Sequence, residues 1–129
     1  MSLAKMISMH PDVHGDIDEL LATAARHTMF CSSMCTSCAD ACSAENMDMR
    51  QCIRICSDCA DVCMAASRLS VRRTGQNPTM LGAMLETCGQ ACTLCAEECE
   101  RHEHDHCKLC AEMCRECAAD CLKATPSVH

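Results

Sequence analysis

Along this chain the inward positions recur three and four residues apart, the period of an amphipathic helix, and they do so in four separate stretches. The first stretch opens near Asp16, where Asp16, Asp18 and Glu19 suit the positive end of a helix, and it runs to Ala44 or Glu45. Its stripe passes through Ile17, Leu20, Ala24, His27 and Cys31. A short connection near Asn46 to Asp48 leads into a second helix, which ends in Arg72-Arg73 and then Gly75, as expected of a helix C-terminus. Asn77-Pro78 reads as an N-cap followed by proline at the first helical position. This third helix carries Leu81, Met84 and Leu85 on its inner side. The polar run Arg101 to His106 is a turn, and a fourth helix carries Cys107 onwards and stops before Pro126.

The stripes are written mainly in cysteine. Cys31, Cys35, Cys38 and Cys42 are spaced four, three and four apart, and Cys52, Cys56, Cys59 and Cys63 repeat that spacing. So do Cys88, Cys92, Cys95 and Cys99, then Cys110, Cys114, Cys117 and Cys121, with Cys107 as a seventeenth thiol. At 100° per residue each quartet spans roughly 60° of arc, so each helix has a thiol face. The first two quartets are copied 57 residues on (Cys31 to Cys88) and 58 residues on (Cys52 to Cys110), an internal duplication of one helical hairpin. Two such hairpins docked face to face predict an all-α fold, an antiparallel up-down-up-down four-helix bundle with a cysteine-lined core. The predicted organisation is an N-terminal arm or short helix over 1-15 and a bundle over 16-125, built from hairpins of about 16-75 and 77-125. A tail over 126-129 follows. In this tracing the thiols fill the middle and the end that holds the first and third turns. Ile17, Leu20, Leu81, Met84 and Leu85 stop the other end.

Composition narrows the chemistry. Such a cysteine density normally signals a secreted disulfide scaffold. Here the count is odd and no long apolar stretch opens the chain, so no signal peptide is expected. Helical neighbours three or four apart hold their Cβ atoms about 5–6 Å apart, against roughly 3.5–4.5 Å in a disulfide. The reading is a reduced, cytoplasmic thiol protein. A formal charge of −7 disfavours nucleic acid, and no stretch reaches the roughly 18 apolar residues of a membrane span. No nucleophile triad, phosphate loop or dinucleotide fingerprint is present, and catalysis is not expected.

Thiols pack as small hydrophobes, but a bundle core is better filled by Leu and Ile. A function must therefore favour sulfur. Thiolate is a soft ligand for monovalent copper, zinc and iron–sulfur clusters. Tetrahedral zinc with four thiolates keeps a net charge of −2, and several such sites would stack uncompensated charge in a dry core. Cu(I) accepts two or three thiolates, and near one ion per thiolate the core approaches neutrality. The expected cargo is therefore Cu(I), many ions per chain, on the seventeen cysteines. Alternatives are a zinc or cadmium detoxification protein and a thiol-based metal or redox sensor.

At the thiol-rich end, His102, His104 and His106 flank Cys107, and Met47 and Met49 come from the other turn. These are candidate transient ligands for ions passing in or out. A solvated charged turn explains the histidines equally well, and a surface position explains the two methionines better. His27 can cap the metal column or be a hydrogen-bonded core histidine, and Met34, Met64 and Met113 read as packing residues on the stripe edges.

Four copies of Cys-x3-Cys-x2-Cys-x3-Cys, with a histidine-bearing turn before Cys107, resemble the cytosolic bacterial copper storage proteins from Asp16 to Lys123. The resemblance implies a homotetramer of bundles, each holding many Cu(I) ions on its cysteines, with ions passing through the histidine end.

Overall fold

The computed structural model describes residues 2–72 and 77–127. Five α-helices, α1 (Leu3–Ser8), α2 (Glu19–Ser43), α3 (Arg50–Ser70), α4 (Pro78–Cys99) and α5 (Asp105–Ala124), are followed by a 3-10 turn, Thr125–Ser127. No strand occurs among the described residues. Asp18, not Asp16, caps α2, accepting a hydrogen bond from the Leu21 N–H at 3.1 Å. Such a cap contributes about 1 kcal/mol. The α3 helix stops at Ser70, before the expected basic end, and Arg73 and Gly75 lie outside the described residues. Asn77 and Pro78 do open α4, but the Asn77 amide donates across the connection to the Arg72 carbonyl at 2.7 Å rather than capping its own helix.

The four long helices close a ring, α2 on α3 and α5, α4 on α3 and α5. One core runs down the ring. It contains every cysteine, together with Leu21, Ala24, Met49, Leu81 and Leu85. Among these residues only Met49, Leu21, Leu81 and Leu85 are large apolar side chains, so sulfur fills most of the interior.

At the apolar end the stripe differs from the expected one. Leu20 is 47% exposed, while Leu21 is buried. From the buried Ala24, positions three and four residues back share one face, and the neighbouring helices favour the nearer one. Ile17 packs instead in a satellite cluster with Ile7, Val13, Ala22 and Val71. The N-terminal segment is thus a docked element: Ser2 caps α1, Ile7 and Val13 are buried, and the chain turns into α2 through positive φ at His14 and Gly15. Gly15 takes φ 77° without the Cβ conflict that other residues meet there.

Candidate metal core

All seventeen cysteines are free thiols and all are buried. Along the helices, Sγ atoms of i, i+4 pairs lie 3.8 Å apart for Cys31 and Cys35, 3.9 Å for Cys52 and Cys56, and 3.8 Å for Cys59 and Cys63. Between helices they approach equally closely. Cys42 meets Cys52 at 3.6 Å, Cys56 meets Cys99 at 3.6 Å, and Cys63 meets Cys92 at 3.5 Å and Cys88 at 3.6 Å. Cys35 touches Cys114 at 3.6 Å, Cys110 at 3.8 Å and Cys95 at 3.9 Å. These distances are ordinary sulfur contacts, well beyond the 2.03–2.05 Å of a disulfide bond.

The contacts generate metal-competent groups whose ligand atoms all lie within 4.8 Å of one another: Cys31, Cys59, Cys63 and Cys92; Cys31, Cys35, Cys59 and Cys114; Cys35, Cys95, Cys110 and Cys114; Cys38, Cys56, Cys99 and Cys110. Successive groups share members, Cys31, Cys35, Cys59, Cys110 and Cys114 each appearing twice. An array with shared ligands suits bridging thiolates, a coordination open to a soft monovalent ion, better than closed four-ligand cages.

A further group, Cys38, Cys42, Cys107 and His106, lies at one end of the core. His106 Nδ1 faces Cys38 Sγ at 3.4 Å and Cys107 Sγ at 3.6 Å, so in the neutral ring the thiols donate to it and the proton sits on Nε2. Nε2 is buried without a hydrogen bond, 3.8 Å from Glu45 Oε1. The Cys38 contact, aided by Glu45, raises the His106 pKa above its usual value, against the opposing effect of burial. The Cys38 thiol is lowered, first by hydrogen bonding with Cys110 and then with Cys52.

Three imidazoles form a ladder outwards from there. His104 stacks on His106 at 5.5 Å between centroids and 6° between planes, and His102 stacks on His104 at 6.5 Å and 11°. Each ring faces a carboxylate: His104 Nδ1 lies 3.0 Å from Glu45 Oε2, and His102 Nε2 lies 3.0 Å from the buried Glu98. Glu45 and Glu98 were not singled out in the sequence. Glu98 has a local signal, four residues before His102, which lies in the turn just past the end of α4. Glu45 has none, because it reaches the histidines from the C-terminal end of α2.

The remaining candidates separate. Met47 is exposed. Met49 corrects the expectation of a turn residue at the surface: it is buried in the thiol core as the N-cap of α3. His27 turns away from the thiols and pairs through Nδ1 with Asp120, with Glu116 at 3.8 Å, tying α2 to α5. Met113 packs against the core, while Met64 is exposed.

Burial raises two of the thiols at this end, whereas Cys38 is lowered. Cys42 is pushed up chiefly by desolvation, and so is Cys107, to about 12. A thiol with a folded pKa above its unfolded value near 9.0 favours the fold fully below that value, and its contribution disappears as pH rises towards the folded pKa. Through these two thiols the melting temperature of the metal-free, reduced protein should fall progressively from about pH 9 towards pH 12. Thermal melts followed by far-UV circular dichroism under reducing, anaerobic conditions check this, and a flat profile to pH 11 would contradict it.

Comparison with known proteins gives concordant findings. The profile of the copper storage protein family matches residues 17–126. The cysteine-rich protein YhjQ of Bacillus subtilis (strain 168) is 32% identical over 93 residues, covering 70% of this chain and 82% of that protein. The copper storage protein Ccsp from Streptomyces lividans, loaded with 10 copper equivalents, superposes with a TM-score of 0.91 at 36% identity. That match covers 97% of this chain and 98% of Ccsp. A second structure of the Streptomyces cytosolic protein, carrying five coppers, gives a TM-score of 0.81 at 39% identity over 84% of this chain and 93% of that one.

Proposed function

We propose that this chain, which belongs to the copper storage protein family, holds many Cu(I) ions on the thiolates of its core as a cytoplasmic store. The observation that carries the reading is the continuity of the sulfur: seventeen buried thiols in contact, arranged in overlapping groups rather than isolated sites. The ligand set is Cys31, Cys35, Cys38, Cys42, Cys52, Cys56, Cys59, Cys63, Cys88, Cys92, Cys95, Cys99, Cys107, Cys110, Cys114, Cys117 and Cys121. Each ion displaces thiol protons, so loading releases acid and weakens as pH falls. Neutral thiols pack as small apolar groups, so the helices form without metal and loading needs little backbone change.

In this reading the bundle of residues 16-125 is antiparallel. Cys42 meets Cys52 next to the first turn, Cys63 meets Cys88 far from it, and Cys31 meets Cys114 while Cys38 meets His106. Both turns that flank the histidine ladder then lie at one end. Ions pass there by way of His102, His104 and His106, with Glu45 and Glu98 holding the rings. The chain works as a homotetramer and catalyses no reaction. The Cys38–Cys42–Cys107–His106 group is the first set of thiols an ion meets from that end.

Anaerobic titration of the reduced protein with Cu(I), against a competing chelator, tests the proposal. Uptake of a number of equivalents on the order of the thiol count is expected. Saturation at one or two ions, or preferential filling by Zn²⁺ in direct competition, would instead favour a detoxification or sensor protein.

A further inference from the structure

The histidine end is one way into the core, and the surface of the bundle holds a second. In the seam between α2 and α5 a depression is lined by Met34, Ser37, Cys38, His106, Leu109 and Cys110. Three other depressions among the described residues carry no thiol: one between α2 and α3 lined by Thr36, Ile53 and Ala60, one between α4 and α5 lined by Gly89, Thr93 and Leu122, and one lined by His102, Lys108 and Arg115. The two thiols at its floor are the most exposed of the seventeen, Cys38 at 3% and Cys110 at 2%, against 0 or 1% for the rest. Further along the same seam the helices are tied by His27 and Asp120, eleven residues or about 16 Å of helix from Cys38. The seam is thus closed at one level and thin at another. What covers it there is a serine, a flexible thioether and a half-exposed leucine.

The geometry points to a lateral port, in which Cu(I) carried by a low-molecular-weight thiol exchanges directly with Cys38 and Cys110 through the α2–α5 seam. The inference rests on the storage reading above. Its chemistry is ligand exchange without redox change. The bond from copper to the carrier sulfur breaks, a bond to Cys38 Sγ forms, and the proton of the Cys38 thiol leaves on the departing carrier thiolate. Met34 and the His106 imidazole, whose Nδ1 is 3.4 Å from Cys38 Sγ, flank the exchange with further soft or borderline donors. Cys110 then connects the port to the interior. It belongs both to the group with Cys38, Cys56 and Cys99 and to the next group with Cys35, Cys95 and Cys114. An ion arriving here meets only the innermost rung of the histidine ladder, His106, without passing His102 and His104.

Two measurements test the port. Ser37→Trp lays a large ring over the depression and Leu109→Ala widens it, and both positions are exposed. Loading from the Cu(I)–glutathione complex, followed by stopped-flow absorbance of the copper–thiolate band, should slow at least fivefold in Ser37→Trp and quicken at least twofold in Leu109→Ala. Parent rates in both variants overturn the port. Maleimide labelling of the parent apo protein, mapped by mass spectrometry, provides the measurement independent of any variant's folding. Cys38 and Cys110 should label first; first labelling of Cys42 and Cys107, or uniform labelling of all thiols, overturns it. The parent's total capacity is read separately, so a capacity of one or two ions sinks the storage reading and not the port geometry.

Discussion

Loading with Cu(I) should raise the melting temperature of this protein by about 30 °C. An ion that binds the folded state stabilises it by about 2.7 kcal/mol per site when its free concentration is a hundredfold above the dissociation constant. Unfolded thiols also bind copper, which cancels much of this, yet the folded array offers ligands already convergent within 4.8 Å. If the equivalent of only three sites survives, the gain is about 8 kcal/mol. At roughly 4 °C per kcal/mol for a domain of this size, the shift is tens of degrees. Differential scanning calorimetry of apo and loaded protein under anaerobic conditions measures it, and a strong Cu(I) chelator should return the loaded melt to the apo value. A shift below about 5 °C would mean that the folded core adds nothing to what the unfolded chain offers copper.

The second large effect concerns the apolar end, where no metal ligand is involved. Leu85 is completely buried, on the inner side of α4 one turn before Cys88, and it is among the few large aliphatic side chains in a core of small ones. Leu85→Ala should cost about 2–5 kcal/mol, because the neighbouring alanines and thiols are too short to collapse into the space. Leu85→Met, which nearly conserves volume, should cost less than about 1.5 kcal/mol. Apo thermal or urea denaturation gives both numbers. Copper capacity should match the parent in Leu85→Met, since every thiol is retained. Equal stability of Leu85→Ala and the parent would show that the sulfur core, not the leucine plug, holds this end.

The legible and illegible parts of the molecule divide by physical cause. The cysteine quartets were readable because an i, i+4, i+7, i+11 spacing has one consequence on a helix, a single stripe facing inwards. The Asn77-Pro78 start of α4 was readable from a local signal too, proline at the first helical position. Leu20 was misplaced because a straight 3.6-residue period drifts away from a seven-residue spacing. Leu20 and Leu21 then compete for one direction, and neighbouring helices choose. Met49 was misplaced because a turn residue has no periodic signal, and only the packing of the α3 N-terminus buries it. The docking of α1 was likewise hidden, since Ile7 and Val13 are two isolated apolar residues until Ala22 and Val71 come beside them.

By itself, the sequence determined that the chain is helical, that each long helix has a sulfur face, and that soft-metal chemistry is the reason for those faces. Only the tertiary structure decided which thiols meet. Spacing along one helix specifies an angle about its axis but not its axial offset against its neighbours, and that offset makes Cys35 a partner of both Cys110 and Cys114. It also brought Glu45 to His104, His106 to Cys38, and the thin α2–α5 seam over Cys38 and Cys110. Each is a contact between segments far apart in the chain, where no local propensity acts.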